Sequence, residues 1–456
     1  MIPSKILTAV SRATGGGLTV ILGAGCSLER PTDLKLATYY AHEGYRRLVA
    51  DNRVPEDDDL DDGDLAAVAS HCVAHASRDA LRELLPVAPF RTAEPNGGTL
   101  IVVALMREDI VRTVVTLNLD MSPNHALAQL SSGSDIAELT PQDGFSQYGA
   151  KNLVYLHGTV AEQPDYWILT KEDLELAEAS GWHQVMAVLA TTAPVTLFAG
   201  MGSKANVFAQ SVQWLAEKLP EGQTDVYLAS LDDGPVSDFA KSLKIDDAHY
   251  IKLGWCELMQ SIGLRVCQEM ISNLLQAAEA VQQEPEWTHS NVNCALLEGP
   301  LLRLGLLGLG RVRAVWLGEH SKYLPQHNLS SGELNRFAEL LVIAAIVALH
   351  LESDPSISTF GAIDFSGRAN ILMRSGGGRS WTSLESQVRN EYRTAVDAHL
   401  LPRKAVLAHA TNRPDEARVP TDIVEGRGHP DDIAVGDADV VFLDFDEVLV
   451  DPGRVA

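Results

Sequence analysis

The stretch 18-LTVILGAGCS-27 runs from an unbroken apolar and β-branched segment straight into a glycine turn. A strand that uniform suits a sheet covered on both faces, where no side of the strand has to meet water. Glycines at 23 and 25 permit a tight turn and let backbone N–H groups approach a phosphate with no side chain in the way. The theme recurs along the chain. The segment 111-VRTVVTL-117 breaks into Asn118 and Asp120, 153-LVYLH-157 stops at Gly158, and 194-PVTLFAG-200 opens into 199-AGMGS-203. Further strands are expected at 225-DVYLAS-230 and 249-HYIKL-253, and helices at 33–50, 171–190, 205–219 and 255–283. Short apolar strands alternating with helices predict a Rossmann-like parallel sheet with helices on both faces. In such a sheet ligands bind beyond the carboxyl ends of the strands, near the point where strand order reverses.

Size and charge narrow the function. With 456 residues the chain has room for more than one core. The sheet pattern predicts a first domain over 1–283, the polar run 284-EPEWTHSNVN-293 a linker, and 294–456 a smaller C-terminal α/β or α+β domain of regulatory or partner-binding character. The formal net charge of −25 repels nucleic-acid phosphates, so no direct nucleic-acid binding is expected. The N-terminus lacks the apolar core of a secretory signal. The longest apolar run, 340-LLVIAAIVALHL-351, is too short to span a bilayer and follows the capping spacing 330-SSGE-333. A cytoplasmic protein without membrane contact is therefore expected.

Metal and disulfide chemistry find little support. Five cysteines at 26, 72, 256, 267 and 294 form no C-x-x-C pair. The acidic run 56-EDDDLDDGD-64 puts Leu60 where a calcium loop with Gly63 at its sixth place needs an oxygen ligand, so it reads as a solvated loop. His71 and His75 share a helical face without a third ligand. Near the C-terminus 442-FLDFDEVL-449 imitates a phosphatase D-x-D motif, but too little chain follows and it reads as a final buried strand. The loop 374-RSGGGRS-380 joins a strand to a helix and reads as a surface turn, with an anion nest as the alternative.

Taken singly, each strand end has a bland reading: glycine turns close many strands without a ligand, and Asn and Asp are ordinary turn formers. Their convergence on one edge of one sheet is the stronger signal. Leu28 stands where a dinucleotide fingerprint needs its third glycine, which disfavours a dehydrogenase.

The order GAG-x-S, T-x-N-x-D, a strand ending in HG, then G-x-G-S resembles the sirtuin superfamily, and most of all the sirtuin-like domains of bacterial defence proteins that destroy NAD during phage infection. The segment 251-IKLGWCELM-259 is similar to the glycine–tryptophan start of the last helix in such domains. The resemblance covers roughly the first 280 residues. It departs from the protein deacylases of the family in lacking their four-cysteine zinc module, and in reading 28-LERPTDLKLA-37 where they carry G-x-P-D-F-R. An asparagine that reaches the adenine ribose in the family is replaced near 229-AS-230.

The resemblance implies an NAD glycohydrolase with NAD as substrate and no zinc, gated by a protein partner or by homo-oligomerisation. It implies catalytic roles for Asn118, which orients the ribose or the attacking water, Asp120 at the nicotinamide end, and His157 as ribose partner and general base. Gly23, Ala24, Gly25 and Ser27 would cradle the pyrophosphate, with Thr116, Gly202 and Ser203 completing the cofactor contacts. A non-catalytic NAD- or ADP-ribose-binding subunit is the alternative of a different class, and a deacylase or ADP-ribosyltransferase a further enzymatic one.

Overall fold

The computed structural model describes residues 2–11, 17–130, 135–144, 146–202, 207–220, 223–319, 323–394, 404–408, 410 and 441–456. The chain divides into two compact units, Met1–Val266 and Cys267–Ala456.

The first unit is built on seven parallel strands: β1 (Leu18–Leu22), β2 (Val111–Thr116), β3 (Ala137–Leu139), β4 (Asn152–Tyr155), β5 (Val195–Ala199), β6 (Asp225–Ser230) and β7 (Tyr250–Lys252). They lie in the order β3-β4-β2-β1-β5-β6-β7. Every residue of β1 is buried, as its uniform sequence requires of a strand between two layers of helices. The helices are α1 (Ser4–Ser11), α2 (Ala37–Ala50), α3 (Leu65–His75), α4 (Ala80–Leu84), α5 (Val87–Arg91), α6 (Gly97–Arg107), α7 (Ser122–Leu130), α8 (Lys171–Ala179), α9 (Trp182–Ala190), α10 (Val207–Lys218), α11 (Asp238–Ser242) and the start of α12 (Trp255–Val281). One core joins β1, β2, β4, β5 and β6 to α9 and α10 through Val115, Phe198, Met186 and Phe208. A second core, around Leu48, Cys72, Leu84 and Trp167, holds α2, α3 and α4 together.

From β1 the chain passes to β2, reaches the edge at β3, steps back to fill the gap with β4, then crosses to lay β5 on the other side of β1. That reversal is the switch point at which such sheets bind ligands. The register brings Leu22 beside both Thr116 and Ala199, and Thr116 beside Tyr155. The loops after β1, β2, β4 and β5 therefore leave the sheet at one height.

Some local expectations change. The helix expected over 171–190 is two helices, because Gly181 takes φ +81 and turns the chain between α8 and α9. The helix expected from residue 33 begins at Ala37. The acidic run is a set of turns in which Asp61 accepts the Gly63 N–H at 3.1 Å, and Asp64 caps α3 through the N–H groups of Ala66 and Ala67. His71 and His75 bond backbone carbonyls, those of Pro55 and His71.

The second unit carries α13 (Glu298–Leu317), α14 (Ser331–His350), α15 (Trp381–Thr394) and α16 (Phe445–Val450). Its strands are β8 (Pro355–Ile357), β9 (Ala362–Phe365), β10 (Asn370–Ser375), β11 (Lys404–Ala408) and β12 (Val441–Asp444), in the order β12-β11-β10-β9-β8. β10, β11 and β12 are parallel and β8 and β9 antiparallel, a smaller mixed sheet. The capping box is in place, with Ser330 and Glu333 each accepting the other's backbone N–H. The final run is an edge strand and not a buried one: Val441 is exposed, and Asp444 and Glu447 form the capping box of α16. Those carboxylates are thus spent on a helix start. In the 374–380 loop, Gly377 and Gly378 take positive φ, and Arg379 donates to Leu317 O and to Gln387. Among the described residues no helix is long and apolar enough to cross a membrane.

Candidate functional site

The loop after β1 lies directly on the loop after β5. Gly23 N donates to Ala199 O and Gly25 N to Gly200 O, both at 2.9 Å. A Cβ on Gly25 would stand 2.7 Å from Gly200 Cα, and one on Gly200, at φ +69, would stand 2.4 Å from Cys26 N. These glycines are needed first for the approach of two backbones. Asn96, fully buried at the head of α6, fastens the loop from behind by donating Nδ2 to Cys26 O at 2.8 Å. Glu29 accepts the Cys256 N–H at the start of α12 at 3.1 Å. Gly98 leaves room for Trp255, whose Nε1 would lie 2.4 Å from a Cβ there.

On that platform Ser27 is the hub. Its Oγ donates to Asp120 Oδ2 at 2.8 Å and accepts from Asn118 Nδ2 at 3.1 Å. Asn118 Nδ2 also donates to Gly23 O at 3.0 Å. A carbonyl can only accept, so this contact fixes which end of the Asn118 amide is nitrogen and leaves Oδ1 as the acceptor. Asp120 is buried, and its Oδ1 takes the Ser122 N–H at 3.0 Å and the Ser122 hydroxyl at 2.6 Å. It serves in the manner of a helix cap at the head of α7. Thr116 lies beneath, its Oγ1 accepting the Asn118 N–H at 3.1 Å.

His157 follows β4 and faces the same space. Its backbone is pinned by Ile168 N to His157 O at 3.0 Å, and Gly158, at φ +84, makes the turn after it. A side chain there would come within 2.9 Å of Tyr166 O. The Leu117 carbonyl acts on the ring, and among the described residues Nε2 is buried with no hydrogen-bond partner. A neutral ring that keeps its proton on the nitrogen toward that carbonyl presents a lone pair at Nε2. Burial first, then the neighbouring His183, pushes the pKa down to about 4, against an opposing push from the Leu117 carbonyl. His157 is thus a neutral acceptor near pH 7 and a weaker base than an ordinary histidine.

Gly23, Ala24, Ser27, Asn118, Asp120, His157 and Gly202 together line one cavity of about 500 Å³. Of the other residues singled out in the sequence, Gly25 and Thr116 support it from outside the lining, and Ser203 lies outside the described residues. The far wall was not legible in the sequence: Leu34, Tyr40, Leu65, Leu85 and Phe90, from α2 to α5 and the segment before them, give the cavity an apolar side. Lys35 stands at its edge, paired with Asp33 at 3.5 Å. Among the described residues no group of three His, Cys, Asp or Glu side chains stands together as a metal site would require.

No family model matches the chain, and no curated protein matches it. Among solved structures, a Sir2 homologue in complex with NAD aligns with 60% of this chain and 95% of its own, at 14% identity and a TM-score of 0.33. A mutant Sir2 homologue in complex with ADP-ribose aligns with 59% of this chain and 98% of its own, at 16% identity and a TM-score of 0.34.

Proposed function

We propose that the protein is an NAD glycohydrolase, cleaving the nicotinamide–ribose bond with water to give nicotinamide, ADP-ribose and a proton. The observation that carries the reading is the convergence of Asn118, Asp120 and His157 with two glycine loops around one cavity at the switch point of the sheet. As nicotinamide leaves, positive charge builds on the ribose ring. A site suited to that step offers acceptors and negative charge, and keeps cations away. Asn118 Oδ1 and His157 Nε2 are acceptors, and Asp120 brings a carboxylate. The lowered pKa of His157 serves the same end, since a neutral imidazole can accept a ribose hydroxyl without setting a second cation beside the first. Asn118 then orients the attacking water or the ribose, and the backbone of the β1 and β5 loops faces the pyrophosphate.

In this reading the enzyme is held off by a protein partner or by self-association and acts in bacterial anti-phage defence, where NAD depletion halts the infected cell. A second reading is a subunit that binds NAD or ADP-ribose without cleaving it. What favours it is the weak basicity of His157 and the engagement of both Asp120 oxygens by Ser27 and Ser122. Deacylation or ADP-ribosyl transfer has less behind it, because nothing in the cavity lining identifies a second substrate. The test is chromatography of NAD incubated with the protein beside Asn118→Ala and His157→Ala. Equal release of nicotinamide and ADP-ribose, lost in both variants, supports the hydrolase; saturable NAD binding with the dinucleotide intact supports the binding subunit.

A further inference from the structure

His183 is the second residue of α9, and its side chain is only 2% exposed. Its ring centroid lies 6.1 Å from that of His157, with the planes inclined at 59°. The preceding residue, Trp182, donates its indole N–H to Leu156 O at 2.9 Å, so the start of α9 is fastened to the peptide unit that leads into His157. Among the described residues neither ring nitrogen of His183 has a hydrogen-bond partner, and neither does His157 Nε2. The packing around them is apolar, with Leu156, Ile168, Trp182 and Met186 in one cluster. A buried imidazole with both donor and acceptor unmet is costly, and apolar side chains of similar size would avoid the cost.

We propose that His183 is a positioning residue for His157, a second imidazole behind the site that holds the first ring in place and makes the two take up protons as one coupled pair. The proposal rests on His157 being a residue of the functional site. A direct N–H···N bond of about 2.9 Å would put the ring centroids roughly 5 Å apart. At 6.1 Å the rings are neighbours without that bond. A proton on one ring opposes a proton on its buried neighbour, since little solvent lies between them to screen the two charges. The pair therefore carries at most one proton over the range in which an isolated pair of histidines would take two.

The surroundings leave His183 as the group that matters to His157. Lys35, Tyr40 and Asp120 are the other titratable side chains lining the cavity, and none of them is among the groups acting on His157. On α8, which packs against α9, Asp173 is held by Arg78, Glu172 accepts from Ser70, and Glu172, Glu175 and Glu178 are all exposed. Glu217 on α10 is exposed. His183 itself is pushed down by burial.

The test is an NMR titration of the histidine ring carbons in the full-length protein, wild type beside His183→Phe and His183→Gln. The first keeps a ring of similar size and the second keeps a polar side chain; neither takes a proton. The expected result is a His157 midpoint above about 4 in both variants. In the same variants kcat/KM for NAD at pH 5, relative to pH 8, should fall about two-fold below the wild-type ratio, as a midpoint rising toward 5 requires. A His157 midpoint and pH profile that ignore both substitutions would overturn the proposal and leave His183 as mere packing. Should both variants fail to fold, the wild-type curves decide. Biphasic shifts, in which each ring reports the other's proton, support the pair, and two independent single-site curves overturn it. The NMR arm needs no turnover, so it stands apart from whether NAD is cleaved.

Discussion

Replacing Ser27 by Ala separates two accounts of the glycine loop. As a plain phosphate ligand, Ser27 would affect substrate binding alone. In the structure its Oγ lies between Asn118 Nδ2 and Asp120 Oδ2, at 3.1 and 2.8 Å. Deleting it removes a hydrogen bond to a buried carboxylate, worth about 1.5–3 kcal/mol, and a neutral one worth about 1 kcal/mol. Asn118 keeps its contact to Gly23 O and Asp120 its contacts to Ser122, so part of the loss is recovered. A net destabilisation of about 2–3 kcal/mol is expected, roughly 4–10 °C in the melting temperature of a unit of this size. Freed on one side, Asn118 loses its orientation, and misplacement on the scale of an ångström costs on the order of 100-fold in rate. The assay pairs thermal unfolding with kcat and KM for NAD cleavage, and adds the double variant with Asn118→Ala. Coupling predicts that Ser27→Ala does far less harm once Asn118 is gone. A raised KM with unchanged kcat and unchanged melting temperature would refute the hub and restore the phosphate ligand.

Three further outcomes follow from the same geometry. Gly200→Ala forces a Cβ to within 2.4 Å of Cys26 N at φ +69, and the combined strain and overpacking should cost about 3 kcal/mol in urea unfolding; a loss below about 1 kcal/mol would mean that the two loops are free to separate. His157 is held at about 4 when folded against an ordinary 6.5, so the unfolded chain binds the extra proton between those values. Stability is then full above pH 6.5 and falls as pH drops toward 4, by about 3 kcal/mol from this group; a His157→Phe variant with the same pH dependence as wild type would contradict this. Asp120→Asn keeps the shape but removes the charge from a network whose three donors are Ser27 Oγ, Ser122 N and Ser122 Oγ. With its nitrogen toward Ser122 the amide meets an N–H that can only donate, and with its nitrogen toward Ser27 it turns that hydroxyl from donor to acceptor; the melting temperature should fall, and one equal to wild type would show that the carboxylate is not what the serines hold.

The strands and the switch point were legible because a strand buried on both faces has to be apolar throughout, and because a loop that meets a ligand breaks that run with small or polar residues. Thr116, Asn118 and Asp120 announce themselves in this way. What sequence could not show depends on contacts between distant residues. Ser27 meets Asp120 across 93 positions of chain, so its part in the network has no local signature. The lowered pKa of His157 comes from burial and from a histidine on a helix 26 residues later, whereas the bare sequence implies an ordinary imidazole. The division of 171–190 into α8 and α9 was hidden because both pieces keep a helical composition, and only the positive φ at Gly181 separates them. The short helices α4 and α5 are too brief for a period to emerge, yet with their neighbours they build the apolar wall of the cavity.

The central claim is that water replaces nicotinamide on the ribose, and mass spectrometry after incubation with NAD in ¹⁸O-labelled water tests it directly. The account predicts that nicotinamide and ADP-ribose form in equal amounts, that each ADP-ribose carries one labelled oxygen, and that Asn118→Ala abolishes both. Dinucleotide that is bound but intact, or a nicotinamide-free product without the label, would contradict it.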